Sequence, residues 1–393
     1  MSQELISHNN DLKRLRDEGY EIEISNNFLI INHVPYVNGN QEVLFGTIIS
    51  RLELSGDSTV KPTDHVALWS GEYPCNGQGN QLVHLVNSSN SETIRDGLVT
   101  SHTFSQKPSN GYDDYYQKMT HYVHVLEGYA RTINSEVTAQ TYAPITLTEE
   151  ESVFCYLDTA TSRSGIVSIN EKLKQDKIAI IGLGGTGSYV LDLVAKTPVG
   201  EIHLFDGDRF LQHNAFRSPG APSSDELKRN ITKADWFAET YSKMRRNIIS
   251  HPQFVNQTNI SELNSMNTVF ICIDKGETRE MIINHFLENN ITFIDVGMGL
   301  SSVDDALTGL VRITTSTPKY HDHVFQRIPL GDATDNEYST NIQIADMNAL
   351  NAVFAVIKWK KLCGFYIDVP NEHHTVYGIS TNTVTNDEIQ NEN

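Results

Sequence analysis

The sequence predicts an α/β protein: a mostly parallel sheet with flanking helices over residues 166–380, preceded by a smaller α+β domain over residues 1–165. Three observations carry this reading. A glycine-rich turn, Gly182 to Gly187, stands where a buried strand gives way to a helix. Beyond it, short apolar runs alternate with helical stretches, the rhythm of a parallel sheet. Before it, β-like runs are broken by Gly, Asn and Pro, which suits a small antiparallel sheet. At 393 residues the chain has room for both parts.

In the first part, Asp11 to Asp17 reads as a short helix. Strands follow at Glu21–Ile24, Phe28–Ile31, Val43–Leu54 and Val66–Trp69. A Tyr-rich stretch over 113–129 has helical spacing. Cys75 follows Pro74 in what reads as an accessible turn, where a thiolate could act as an acceptor or nucleophile. The competing reading is a small turn cysteine with no chemistry. His65, His84, His102, His121 and His124 are scattered, without acid or thiol partners at metal-ligand spacing.

In the second part, a short helix at Ile169–Leu173 precedes the strand Lys177–Ile181, and a helix over 188–196 follows the glycine turn. Next come a strand ending on Asp206, a helix over 232–247, and a strand from Thr268 to Asp274. A helix at Arg279–Leu287, a strand at Thr292–Val296, a turn at Gly297–Gly299 and a strand at Leu307–Thr315 follow. Ser316–Thr340 reads as a long polar loop, a length that is usually functional or mobile. Ile344, Met347, Leu350, Phe354 and Ile357 recur at helical spacing, a packing stripe. Residues 381–393 are polar and expected to be a disordered tail.

Composition narrows the function classes. The net charge is −19, from 30 basic and 49 acidic residues. This disfavours a nucleic-acid partner. No run approaches the ~20 apolar residues of a membrane span, and the start lacks the apolar core of a secretory signal. The expectation is a cytoplasmic protein without membrane attachment. Four cysteines, at positions 75, 155, 272 and 363, form no C-x-x-C pair. A disulfide framework and a cysteine zinc site are poorly supported.

Gly182, Gly184 and Gly187 make G-x-G-x-x-G between strand and helix, and Asp206 follows at the spacing of a ribose-binding acid. Glycines let backbone approach phosphates, and the helix N-terminus attracts them. Asp274 ends another strand, so three elements point to one crevice beyond the carboxyl edge of the sheet. These features alone fit any mononucleotide or dinucleotide.

The residues that follow are more specific. Asp206 and Asp208 stand in D-x-D, Asn214 and Arg217 in N-x-x-R, then come Lys233 and Asp274 with Arg279 five residues on. With Gly182, Gly184, Gly185 and Gly187, this series resembles the Rossmann-like ThiF/MoeB-type adenylating domain shared with ubiquitin-activating enzymes. The resemblance covers about residues 175–300, with family-like helix packing to about residue 363. It implies that Asp206 binds ribose hydroxyls, that Arg217 and Lys233 contact the phosphates of ATP, that Asn214 positions them, and that Asp274 holds Mg²⁺. Lys233 is preferred over Lys228 for the lysine of the pattern. Arg163 either reaches the phosphates from the entry segment or is a solvated or capping arginine.

The implied reaction is ATP-dependent adenylation of the C-terminal carboxylate of a ubiquitin-like or sulfur-carrier protein, by a homodimer. Cations that neutralise charge growing in the transition state are the tools such a reaction needs. The chain departs from the family at Ser218, where glutamine is common, and at Lys275, where asparagine is common. The zinc cysteines of many relatives are missing, so no zinc is expected. The Ser316–Thr340 loop has no cysteine, which leaves Cys75 as the candidate acyl acceptor outside this domain, unless the adenylate passes directly to another nucleophile or a partner enzyme. The first part resembles an uncharacterised domain fused to bacterial ThiF-type domains, an architecture that suggests ubiquitin-like conjugation or defence. A nicotinamide-dependent oxidoreductase and an inactive nucleotide-binding scaffold are the alternatives.

Overall fold

In the first half, strands pair mostly in the order in which the chain delivers them. A computed structural model describes residues 2–147, 150, 152–174, 177–330 and 342–387. The chain divides into two units, residues 1–145 and 146–393. Among the described residues no helix is long and apolar enough to cross a membrane.

The first unit is an antiparallel sheet built from β1 (Glu21–Ser25), β2 (Phe28–Val37), β3 (Val43–Arg51), β4 (Val66–Ser70), β5 (Val86–Ser88) and β6 (His102–Ser105), in the order β1-β2-β3-β4-β6-β5. β2 runs on to Val37, well past the expected end at Ile31. A register shift between Ile31 and Val34 absorbs His33, which has φ 52°, and pairing with β3 then resumes. Two short helices, α1 (Ser2–His8) and α2 (Asn10–Asp17), precede the sheet, and α3 (Tyr115–Arg131) covers one face. Asp114 caps α3 by accepting from the Gln117 amide at 2.7 Å. Tyr115, Met119, Tyr122, Val123 and Leu126 recur at helical spacing and are buried with Trp69 and Phe104 of the sheet.

The second unit holds a sheet of eight strands among the described residues. Five are parallel neighbours: β7 (Lys177–Ile181), β8 (Glu201–Phe205), β9 (Ile248–His251), β10 (Thr268–Ile271) and β11 (Thr292–Val303), in the order β9-β8-β7-β10-β11. Three antiparallel strands extend the sheet: β12 (Ala306–Ser316), β13 (His374–Gly378) and β14 (Thr383–Asp387). The main helices are α4 (Gly185–Ala195), α5 (Lys233–Tyr241), α6 (Gly276–Glu288) and α7 (Ala345–Leu362). The chain leaves β7 for β8 on one side and later returns to β10 on the other. The strand order therefore switches at β7, the place where open α/β sheets form a ligand crevice.

The structure corrects several expectations. The helix over 232–247 stops at Tyr241, and β9 follows it as an edge strand. The turn at Gly297–Gly299 is instead continuous strand, paired opposite Arg312 and Leu310, and the hairpin turns at Asp304 and Asp305, both at positive φ. Part of the tail expected to be disordered, Thr383–Asp387, pairs antiparallel with β13. Its backbone groups find partners there, so polar composition did not decide its state. Within the expected loop, Val324–Arg327 is a helical turn, and residues 331–340 lie outside the described residues.

The division between the units falls ahead of residue 165, at Thr146. Arg246 accounts for this: its guanidinium donates to the carbonyls of Leu147, Ser152 and Phe154 and so ties that segment to the second unit.

The stripe on α7 is rotated from its expected position. Met347 of the stripe is buried and Phe354 packs against the core, but the other buried residues include Asn348, Asn351, Ala352, Ala355 and Trp359, whereas Ile357 is exposed. The short side chains of this face let α7 approach Gly185 of α4 closely.

Candidate functional site

The glycine turn is shaped by close approaches. Gly182 has φ 87°, and a Cβ there would lie 2.7 Å from the Cys272 carbonyl oxygen. A Cβ on Gly187 would lie 1.9 Å from the Gly182 carbonyl, and one on Gly185 would lie 2.0 Å from Asn348 Nδ2. Gly184 alone of the four faces open space, with nothing within 4 Å among the described residues. The backbone at Gly184 is thus the stretch a phosphate can reach, at the N-terminus of α4.

Asp206 follows β8 and is buried. Its carboxylate accepts the Leu183 amide at 2.7 Å and the Asp208 amide at 2.8 Å, which ties the glycine turn to the D-x-D segment. Burial pushes its pKa up, against the pull of Lys233 and the two amides. A carboxylate has about four acceptor positions, so each oxygen keeps capacity for a sugar hydroxyl.

Lys233 opens α5 behind a Thr232 cap and is buried. Its ammonium lies 2.8 Å from Asp208 and 3.6 Å from Asp206. Its amide donates to the Asp208 carbonyl, and the Phe210 amide to that of Ile231, so the two segments run side by side. Lys228, the other lysine of this stretch, is far more exposed and pairs with Asp225.

Asn214 is 3% exposed. Its Oδ1 accepts the Leu211 amide at 2.8 Å, and its carbonyl accepts the Arg217 amide and the Ser218 hydroxyl. Nδ2 of Asn214 and Nε of Arg217 are both buried without a hydrogen-bond partner among the described residues. Two unpaired donors on one turn are unfavourable unless an acceptor arrives. An anionic ligand is the acceptor this turn suits.

Asp274 is exposed just before α6, on the carboxyl side of β10. Among the described residues no group of three His, Cys, Asp or Glu side chains could hold a metal ion. Magnesium commonly takes one or two carboxylates and completes its shell with phosphates and water. A single carboxylate at this edge fits that mode. Arg163 is exposed on the short helix Thr159–Ser164, which Asp158 caps.

The structure also corrects the reading of Cys75. The expected accessible turn is instead paired: the Cys75 amide donates to the Val37 carbonyl at 2.7 Å. The residue is 2% exposed and packs with Val37 and Ala130. Burial pushes its thiol pKa up, with Glu72 adding to the shift. A buried thiol held protonated is a poor nucleophile. Cys272, beside Gly187, has its thiol pushed far up by burial too.

Two groups lie outside the sequence reading. Asp295 is fully buried on β11, with Arg312 donating to it at 2.6 Å and Arg279 Nε 3.2 Å away. Arg279 also donates to the Ile273 carbonyl, and so braces the chain that carries Asp274. Burial raises the Asp295 pKa, opposed by the two arginines. An acid within a buried apolar run was the available signal. The second group is Asn348 and Asn351, both buried, which flank Thr186. The Thr186 hydroxyl donates to Asn348 Oδ1 at 3.0 Å and accepts from Asn351 Nδ2 at 3.3 Å. Asparagines inside an otherwise apolar helix were the available hint.

Fold and site together define an α/β protein whose glycine turn, Asp206, Lys233 and Asp274 lie at the carboxyl edge of the sheet, around its topological switch point. Residues 160–390 match the ThiF family, and the chain belongs to it. Residues 10–159 match a domain of unknown function, DUF6791. Over 155 residues the chain is 26% identical to ubiquitin-like modifier-activating enzyme 5 of Aedes aegypti, a match covering 37% of this chain and 39% of that protein. The Mus musculus protein of the same name is 26% identical over 156 residues, covering 37% of this chain and 38% of that protein. The match therefore spans about two fifths of the length of these curated relatives. Among solved structures, E. coli MccB with ATP aligns with TM-score 0.43 and 18% identity, covering 56% of this chain and 66% of that one. PaaA aligns with TM-score 0.47 and 15% identity, covering 76% of this chain and 98% of that one.

Proposed function

We propose that the second unit adenylates the C-terminal carboxylate of a ubiquitin-like or sulfur-carrier protein with ATP and releases pyrophosphate. The observation that carries this reading is the pair of unpaired buried donors, Asn214 Nδ2 and Arg217 Nε, on the turn that follows Asp206 and Asp208. Membership of the ThiF family and the similarity to ubiquitin-like modifier-activating enzyme 5 support it.

In this reading Asp206 accepts the ribose hydroxyls, and the Gly184 backbone with the α4 N-terminus receives phosphate. The substrate carboxylate oxygen bonds to the α-phosphorus as the bond to the pyrophosphate oxygen breaks. Two anions must meet, so Arg217 and Lys233 lower the barrier by holding positive charge where negative charge grows. Lys233 turns from Asp208 to the phosphates, while Asp208 remains in solvent. Asp274 is the residue that would hold Mg²⁺, and the ion would supply positive charge toward the pyrophosphate. A nicotinamide-dependent dehydrogenase has no use for this cationic set. The protein is further proposed to act as a homodimer.

The test is ATP–pyrophosphate exchange with candidate ubiquitin-like proteins. Partner-dependent exchange supports the reading. Nucleotide binding without exchange for any partner leaves a scaffold, and hydride transfer to NAD would revive the dehydrogenase.

A further inference from the structure

Phe254 is an exposed aromatic side chain beside the candidate ribose site. It follows β9 in a loop that leads into the second unit's core at Val255. The residue is 54% exposed, although its own backbone is firmly held. Its carbonyl accepts the side-chain amides of Asn256 at 3.2 Å and Asn259 at 3.0 Å, and the Asn256 amide donates to Asn259 Oδ1 at 2.8 Å. The exposure thus belongs to a braced loop.

The ring's neighbours place it at the crevice. Gly207 stands between Asp206 and Asp208, and a Cβ there would come within 2.9 Å of Phe254 Cδ2 and Cε2. Glycine at 207 therefore leaves the ring room against the backbone that joins the two acids. The ammonium of Lys275 lies over the ring, 5.4 Å from its centroid. Lys275 immediately follows Asp274, so the ring lies between two carboxyl-edge elements of the sheet.

Covalent geometry then says what belongs there. With phosphates at Gly184 and ribose hydroxyls at Asp206, the base projects from the ribose away from the phosphates. An aromatic face beside the ribose acid is a surface on which a base can stack. Until a base arrives, the lysine cation covers that face, an interaction worth little at an exposed site. A base displaces it readily and frees the ammonium for acceptor atoms on the base edge.

We infer that Phe254 is the stacking platform for the purine base of the nucleotide, with Lys275 as a cation that base binding displaces from the ring. This rests on the nucleotide reading above and adds the residues that select the base. Purines present a larger face than pyrimidines, so the platform favours ATP and GTP over CTP and UTP.

The experiment is calorimetric titration of the full chain and of Phe254→Ala and Phe254→Trp with the four nucleoside triphosphates and with tripolyphosphate. The expected result is ~10-fold weaker ATP binding by Phe254→Ala. Tripolyphosphate affinity should be unchanged, the purine preference should disappear, and Phe254→Trp should retain both binding and preference. ATP binding by Phe254→Ala equal to the parent's overturns the platform while leaving the nucleotide reading intact. Equal weakening of ATP and tripolyphosphate also overturns it, because the residue would then act on the fold. A parent protein that binds no nucleotide removes the nucleotide reading and the platform together.

Discussion

The turn after β8 and the turn at Cys75 both look like chemical sites in the sequence, and the structure treats them oppositely. At Asn214 and Arg217, buried donors are left without partners among the described residues. At Cys75, the amide is paired with Val37 and the thiol is packed among Val37, Ala130 and their neighbours. A site needs unsatisfied polar capacity that a ligand can take up. A residue whose groups are already satisfied contributes to stability instead. Residue type suggests chemistry at both places, and the state of the neighbours separates them.

The strongest way to break this contrast is Arg217→Ala or Lys233→Ala. Each should lower ATP–pyrophosphate exchange by about 10³-fold, on the order of 4 kcal/mol of transition-state stabilisation, with an unchanged circular dichroism spectrum. Exchange near the parent rate in both would remove the cationic site.

Acid titration sharpens the contrast by asking how a buried group with an unpaired atom behaves when no nucleotide is involved. His373 is 4% exposed, with Nε2 unpaired among the described residues. Burial lowers its pKa to about 4, with Lys358 and His323 lowering it further and the Asn371 carbonyl and Asp368 opposing. The unfolded chain takes up the proton near pH 6.5, while the folded one resists until about 4. Its contribution is therefore fully present above pH 6.5 and lost as the pH falls through that window, by at most ~3 kcal/mol. Denaturant titrations of the parent and His373→Gln between about pH 7 and pH 4 should show a flatter dependence in the variant. Equal slopes would mean that other groups carry the acid sensitivity.

Gly185→Ala tests the packing beneath the glycine turn. Its Cβ would overlap Asn348, so unfolding free energy should fall by ~2 kcal/mol, and Asn348→Ala in the same chain should restore more than half. Independent, additive effects would show that the approach of α7 to α4 does not explain that glycine.

The smallest effect is expected at the other pole of the contrast. Cys75→Ala should cost ~1 kcal/mol of stability and leave exchange unchanged. In the native parent, Cys75 should also react with iodoacetamide more slowly than the partly exposed Cys155. Loss of exchange, or rapid labelling of Cys75, would restore it as a candidate acceptor.

Much of the second unit is legible in the sequence because its signals are local. Lys177–Ile181 is a continuous apolar run, the glycines follow at once, and Asp206 comes directly after the next strand. The edge strand β9 is hidden: its four residues, Ile248–His251, are too few for alternation to stand out after the helical run that precedes them. β14 is hidden for a different reason, because a polar strand carries no apolar pattern to read. The early start of the second unit rests on the carbonyls that Arg246 gathers, and nothing local marks an arginine for that task.

What the sequence determined by itself is the order of most of the second unit's strands and helices, and the identities of Asp206, Asn214, Arg217, Lys233 and Asp274 at fixed spacing. Periodicity and turn chemistry act over a few residues, so they can be read without a fold. Tertiary structure alone decided the burial of Cys75, the seating of Lys233 between Asp206 and Asp208, the Asp295 bridge between two arginines, and the meeting of Asn348 with Gly185. Each depends on residues distant in the chain, whose approach is fixed by how helices and strands pack.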